Sequence, residues 1–445
     1  MNDSGIVIIG GGPVGLVAAM YLAPRFGSVT VLEKRPDPRS RLGAVGRSIT
    51  VMLSTRGWRA LAEVGLEGPV RSICVPIHGR CAHLTDGSSH VTPYSRDRRP
   101  IWSVERARLH RLLLDAAEAT PGVRLCFDQQ VREVDLDEPA VVVDGPAGRQ
   151  TLTCRLVLGC DGAHSTARAA LVARGAREEV RTLEMAYQEI DVPGGWLDPF
   201  TMHYWPTGDG FFGAFPLPSG HFAGSLFLRL DGPPPSYAAG GGDLFGMFTT
   251  HFPEPAAAIG DLAGQLATKS VSTITIASCD RWVWQDKLAL LGDACHAMAP
   301  FMGHGMNCGF EDVRTLAECL DGTDDTESAL AVYEKSRVEE AKAISALSQQ
   351  HYHTMSTPPQ DKAAALAKEA LRERLFELFP DRFVPLYEQC AFTEESYATL
   401  LNNDLVLESL VEELLGIHGP ELVSAPASTL RACVPGAADS ITKES

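Results

Sequence analysis

Gly5-Ile6-Val7-Ile8-Ile9-Gly10-Gly11-Gly12-Pro13-Val14-Gly15 is the stretch on which the fold turns. Ile6 to Ile9 form an apolar, largely β-branched run, the pattern of a parallel strand buried on both faces. Glycines at 10, 12 and 15 match GxGxxG. Gly10 permits a tight turn, Gly12 lets a pyrophosphate approach the backbone, and Gly15 lets the next helix lie close on the strand. Pro13 and Val14 open an apolar helix expected to run to Phe26, whose free N-terminal N–H groups favour an anion. A second strand is expected over 29–33. It ends on Glu33, the distance at which an acid takes a ribose hydroxyl, and Lys34 and Arg35 follow. The spacing alone is a weak signal. Strand before, helix after and acid beyond make it a βαβ dinucleotide site.

Two later strand ends carry further motifs. After the apolar run 155–158 comes Gly159-Cys160-Asp161-Gly162-Ala163-His164-Ser165, then Arg168. By itself Asp161-Gly162 would be an ordinary turn. A buried strand over 288–291 leads to Gly292-Asp293-Ala294-Cys295-His296 and then Pro300-Phe301-Met302-Gly303-His304-Gly305-Met306-Asn307. Asp293 would stand at a strand's carboxyl end, where open α/β sheets bind ligands. Gly303 and Gly305 allow backbone beside a planar ring, and a helix after Asn307 would aim its N-terminus at the ring's oxygen.

Between these motifs, segments 75–84, 184–192, 200–205, 210–215 and 222–230 have strand character with Gly and Pro punctuation. They suggest a mixed or antiparallel sheet inserted into the α/β body. The Pro- and Gly-rich run 231–243 reads as a surface loop, 328–416 as helical, and the small, polar tail from 424 as disordered. The fold expected is α/β: a Rossmann-type dinucleotide-binding domain from 1–74, 104–180 and 276–327, a substrate domain from 75–103 and 181–275, and a C-terminal helical region over 328–423.

The chain has 445 residues and a net charge of −17. So acidic a surface argues against nucleic acid or anionic membrane as partner. None of the eleven cysteines forms a CxxC pair, which suits reduced thiols in a cytoplasmic protein. Neither a leader peptide nor a transmembrane run is visible. His351-Tyr352-His353 has no nearby acid, so no metal site is expected.

The three motifs, in this order, resemble the flavin monooxygenases of the 4-hydroxybenzoate hydroxylase type. The resemblance implies bound FAD, NAD(P)H as co-substrate without a domain of its own, and dioxygen activated as a flavin C4a-hydroperoxide. The closer likeness is to the kynurenine 3-monooxygenase family. It rests on Gly46-Arg47-Ser48-Ile49, Ser54-Thr55-Arg56-Gly57, Ser103 to Arg106, and Pro300 to Asp312. In that family an arginine and two tyrosines hold the substrate's carboxylate, at positions matching Arg80, Tyr94 and Tyr387. The ring pocket maps to Gly213, Phe215, Phe227, Pro300 and Phe301, and Arg47, Arg106, Asp161, Asp293 and Asn307 are expected near the flavin. His304 stands where the family usually has glutamine, and proton transfer by it competes with a packing role. On the C-terminal helix this chain has His351 and Thr354 in place of an asparagine and a glutamate, although Met355 agrees. A substrate ammonium would thus have less countercharge. The substrate implied is a small aromatic amino or carboxylic acid, kynurenine or a relative. Another tryptophan-derived scaffold, or a flavoprotein oxidase or sensor, are the alternatives. Either a monomer or a homodimer is compatible.

Overall fold

The computed structural model describes residues 4–40, 50–207, 210–229, 244–355 and 362–434, with the backbone alone at 352–355 and 362–366. Arg47, the loop 231–243 and the last residues from 435 lie outside the described residues.

The opening unit forms as its pattern predicts. Strand Ser4–Ile9 leads through the glycine turn into helix Pro13–Phe26, closed by Gly27 at φ 71°. Strand Val29–Leu32 returns parallel to the first. Val123–Cys126 extends this sheet on one side; the end of Gly148–Gly159 and then Leu288–Leu290 extend it on the other, all parallel. The strand Gly148–Gly159 serves two sheets. Its half-exposed start pairs antiparallel with Ala140–Gly145, and its buried end joins the parallel core. Ile6, Val7, Ile8, Leu156, Val157 and Leu158 are all fully buried. Helices cover both faces of such a sheet, which is why its strands read as continuous apolar runs.

A seven-stranded sheet holds Val271–Cys279, Glu178–Val192, Phe222–Arg229, Gly210–Pro216, Thr201–Thr207, Gly79–His83 and Ser89–Pro93, in that spatial order. One pairing, Thr201–Thr207 with Gly79–His83, is parallel and the others are antiparallel. The ladder from Glu178 opposite Cys279 overruns the boundaries expected at 181 and 275. The expected strand 75–84 is instead two strands. Cys74–Ile77 pairs with Ile101–Glu105, whereas Gly79–His83 enters the large sheet. The chain changes sheets at His78, whose N–H donates to Phe200 O and whose carbonyl accepts from Tyr94 N–H.

Four main helices follow: Thr326–Met355, Lys362–Leu378, Leu386–Phe392 and Tyr397–His418. Tyr397 and Leu400 pack with Ile344, Leu347 and Met302, which fastens the helical region to the loop around residue 302. The tail is ordered further than its composition suggests. Ala427–Cys433 is helical, and Leu430 and Val434 bury against Leu371, Leu375 and Val411. Two apolar residues four apart suffice to dock a short helix, and small polar neighbours hide that pattern. No described helix is long and apolar enough to cross a membrane.

Candidate active site

The glycine turn shows what each position is for. Gly10 has φ 106°, and a Cβ there would meet Cys160 O at 2.4 Å; one on Gly15 would meet Gly10 O at 2.1 Å. At Gly12 a Cβ would meet nothing within 4 Å. The turn is therefore closed on the protein side and open at Gly12, at the start of a helix with no acidic residue in its first turn. That suits a diphosphate. Glu33 lies beside the turn: Oε2 accepts from Gly11 N–H and Oε1 from Arg35 N–H, both at 2.9 Å. Lys34 and Arg35 are exposed next to it. His110, unmarked in the sequence, bonds Gly11 O through Nε2 at 2.7 Å. Burial pushes its pKa down, so it serves as a neutral donor to the turn. Arg106, exposed on the same helix, adds to that effect through its charge. No periodicity flags a lone histidine at this place.

Asp161 is committed differently from the expectation. Its Oδ1 accepts from Ser165 Oγ at 2.5 Å, and its Oδ2 from Thr166 N–H at 2.6 Å. The carboxylate thus fastens the start of helix Thr166–Ala173. Arg168 beyond it ties the second motif to the third, donating to Ala163 O at 2.6 Å and Ala294 O at 2.8 Å.

Asp293 is exposed at the end of Leu288–Leu290, with its Oδ1 4.0 Å from where a Cβ on Gly305 would stand. Pro300–Met302 form one 3-10 turn, stopped by Gly303 at φ 69°. The long helix begins at Gly305, three residues before the expected start, so Met306 and Asn307 lie within its first turn. Asn307 is fully buried. It donates to Met52 O at 2.7 Å and Gly303 O at 3.0 Å, and accepts from Ser54 N–H at 3.0 Å. Its side chain braces the loop and has no amide group left for a ligand; its N-terminal turn still offers backbone N–H groups.

A buried charge cluster holds this loop from behind. Asp312 accepts from His296 Nε2 at 2.5 Å, Arg337 Nε at 2.8 Å and Gly292 N–H at 3.0 Å. Burial pushes Asp312 up, but His296 and Arg337 outweigh it and hold the pKa at about 2. Burial pushes His296 down, and Asp312 more than reverses this. Asp312 contributes fully above the ordinary carboxylate range and loses that contribution as pH falls through about 2. Protonated His296 contributes fully below about 6.5 and loses that contribution as pH rises through its raised value. Asp312→Asn should therefore lower unfolding free energy by about 3–5 kcal/mol. The gap from the parent should be widest between about pH 4 and 6.5. Urea midpoints at several pH values check this, and a pH-independent gap would contradict it.

The expected substrate residues meet on one face of the seven-stranded sheet. Tyr94 and Tyr387 stack with ring centroids 4.9 Å apart. Arg96 N–H and Nε both donate to buried Glu388, at 3.1 and 3.2 Å, which holds Tyr387's helix to the segment that follows Tyr94. Arg96 is thus spent partly on packing. Burial pushes both phenols up, Tyr94 to about 12, with Arg80 opposing in each case. Arg80 NH1 donates to His351 Nε2 at 3.3 Å. Arginine can only donate, so His351 accepts there and carries its proton on Nδ1. Burial, then Arg80 and His304, bring His351 to about 3. Tyr204, which nothing in the sequence marks, joins Tyr94, Phe215, Met202 and Tyr387 in one cluster.

Phe227 and Phe301 belong to a neighbouring cluster with Phe211, their centroids 5.7 Å apart. A Cβ on Gly213 would stand 3.3 Å from Phe215 and 3.7 Å from Phe211, so this glycine joins the two clusters. His304 is buried, 3.1 Å from Tyr397 OH through Nδ1, and its Nε2 has no partner among the described residues. Burial brings it to about 3, with Arg56 adding to the effect. An imidazole neutral at every physiological pH orders the loop and does not relay protons through a charged form. The side chains of Thr354 and Met355 lie outside the described residues.

Comparison with known proteins accords with this geometry. The family model described as FAD binding domain matches residues 3–348. A kynurenine 3-monooxygenase of Flavobacterium johnsoniae is 32% identical over 428 residues, covering 94% of this chain and 95% of the relative. One of Salinispora arenicola is 35% identical over 412 residues, covering 89% of each. In fold, the chain is similar to the tetrameric form of 2-methyl-3-hydroxypyridine-5-carboxylic acid oxygenase. The TM-score is 0.67 at 21% identity, covering 82% of this chain and 96% of that one. The open phosphate turn, the exposed Asp293 and the helix start at Gly305 fit FAD, and the chain belongs to the FAD-binding-domain family as an FAD-dependent aromatic monooxygenase.

Proposed function

We propose that this enzyme hydroxylates the ring of a small aromatic amino or carboxylic acid, kynurenine or a relative of it, using NAD(P)H and dioxygen. One observation carries the reading. Arg80 has a neutral partner, His351, among the described residues, and it stands beside the stacked Tyr94 and Tyr387. A guanidinium in such a setting favours a carboxylate, which it can grip bidentately while the phenols donate. Bound FAD supplies the activation of dioxygen. The chain's own residues bind, orient and exclude water. Gly12, Glu33 and Asp293 hold the cofactor, with Gly10, Pro13, Val14, Gly15, Lys34, Arg35 and Arg106 shaping its diphosphate end. Gly303, Gly305 and Met306 frame its ring. Asp161 and Asn307 act by bracing those loops.

Pro300, Phe301, Phe215, Phe227 and Gly213 hold the substrate ring, and a dry aromatic wall limits loss of reactive oxygen to water. An amino-substituted ring activates its own ortho carbon, so no protein base is required and His304 remains a positioning group. His351 in place of the family's asparagine favours the second reading, another tryptophan-derived acid. A panel of kynurenine, other aromatic amino acids and anthranilate-type acids distinguishes the two. The true substrate should accelerate NAD(P)H oxidation and yield a product heavier by one oxygen atom. NAD(P)H oxidation with no oxygen inserted into any acid would overturn the reading in favour of an oxidase or sensor.

A further inference from the structure

The strand that carries Arg80 also carries, on its other face, residues of a different chemistry. Alternation along Gly79–His83 puts Arg80 and Ala82 on one side and Cys81 and His83 on the other. Cys81 lies opposite His203 in the parallel register of Thr201–Thr207. His203 and Trp205 therefore share the face of Cys81, away from the substrate residues, and Trp205 packs there with Phe212, Phe248 and Phe252. On this face the Cys81 sulfur and one nitrogen each from His83 and His203 lie within 4.8 Å of one another.

The hydrogen bonds around this cluster leave two imidazole nitrogens facing each other. His203 Nε2 lies 3.1 Å from the carbonyl of Asp198, which can only accept, so the proton of His203 sits on Nε2 and its Nδ1 is a lone pair. His83 Nε2 faces that Nδ1 at 2.9 Å. On its other side His83 Nδ1 faces Glu254 Oε2 at 3.4 Å, an oxygen that also accepts from Trp205 Nε1 at 3.0 Å. Neutral His83 has one proton for two acceptors. With that proton on Nε2 it serves His203 and leaves the exposed Glu254 to solvent; with it on Nδ1 it serves Glu254 and leaves two lone pairs facing each other. In the second state the two nitrogens and the adjacent Cys81 sulfur converge on a place for a cation between the imidazoles.

We propose that Cys81, His83 and His203 bind a divalent ion of the zinc class, and that this site pins the strand of Arg80 to the strand of Tyr204. With the ion between them, both facing nitrogens become ligands. His83 then keeps its proton on Nδ1 for Glu254, and His203 keeps its own on Nε2 for Asp198. Each ligating imidazole thus has an outer acceptor, the arrangement that fixes tautomer and ring orientation at metal sites. Zinc–nitrogen bonds of about 2.0–2.1 Å and a zinc–sulfur bond of about 2.3 Å require the rings to part by only a few tenths of an ångström. Thiolate with imidazole selects zinc-like ions over magnesium or calcium. Binding displaces the Cys81 thiol proton to solvent and involves no redox change. Half-buried His83 leaves an entry path, and solvent can complete the coordination. The other Cys–His–Asp cluster, Cys295, His296 and Asp312, is already occupied, since Arg337 and His296 both pair with Asp312. Sequence spacing does not show the new site, since His83 and His203 are 120 residues apart.

The test uses FAD-loaded protein equilibrated with zinc, desalted and analysed for metal. One zinc ion per chain is expected, with one sulfur and two imidazole nitrogens in its X-ray absorption fine structure. Cys81→Ser and His83→Gln should each reduce retained zinc at least about tenfold, whereas Cys433→Ser should not. Full flavin absorbance in each variant verifies folding. Substoichiometric zinc in the parent, or parent levels of zinc in both variants, would overturn the site. The readout is metal content, so it stands apart from whether the substrate assignment is right.

Discussion

Gly12→Val should give a folded, colourless protein. The position has φ −74° and ψ 174°, a conformation any residue adopts, and a side chain there meets no protein atom within 4 Å. The protein alone has no reason to reject valine. A diphosphate does, because the branched side chain would occupy the space through which it reaches the backbone N–H groups at the start of Pro13–Phe26. Losing that close approach should weaken FAD binding on the order of 100-fold or more, about 3 kcal/mol. The contrast with Gly15 sharpens the test. A Cβ at Gly15 would meet Gly10 O at 2.1 Å, so Gly15→Val should fail to fold and not merely lose its flavin. Circular dichroism with flavin absorbance after desalting separates the two. A yellow, fully loaded Gly12→Val protein would remove the diphosphate from this turn.

That contrast also shows how much the amino-acid sequence makes legible by itself. GxGxxG between a buried strand and an apolar helix is a local pattern, and local patterns at periods of two and 3.6 survive translation into sequence. The strand ends bearing Asp161 and Asp293 are legible for the same reason. What each side chain does there is not. Asp161 and Asn307 read as ligands, but their polar atoms are consumed by Ser165, Thr166, Met52, Gly303 and Ser54, partners up to 255 residues away. The break at His78 is hidden because strand-like residues lie on both sides of His78-Gly79-Arg80, while the sheet change is dictated by Phe200 and Tyr94. His110, Tyr204 and the Cys81–His83–His203 group escape notice for one reason. Each gains its meaning from a residue distant in sequence, and one sequence carries no record of that pairing.

Arg80→Ala should leave FAD bound and cripple the use of acidic substrates. Arg80 sits on the seven-stranded sheet, whereas the diphosphate turn belongs to the parallel sheet, so flavin content should not change. Truncating one member of a desolvated charge pair typically costs about 2–5 kcal/mol. Here that is a fall in kcat/KM on the order of 100-fold, expressed chiefly in KM because carboxylate binding is the same before and during ring attack. Arg80→Lys should recover part of the loss, since an ammonium keeps the charge without the planar fork. A substrate analogue lacking the carboxylate provides the decisive control: the parent and Arg80→Ala should handle it alike. A second signature comes from His351. Arg80 reinforces the effect of burial in holding that imidazole at about 3, so its removal should let the pKa rise towards the ordinary range. Substrate affinity in Arg80→Ala should then acquire a pH dependence that the parent lacks, tightening at lower pH as protonated His351 supplies a substitute cation. Equal KM values for carboxylated and decarboxylated substrates in the parent would refute the carboxylate clamp, whatever the flavin does.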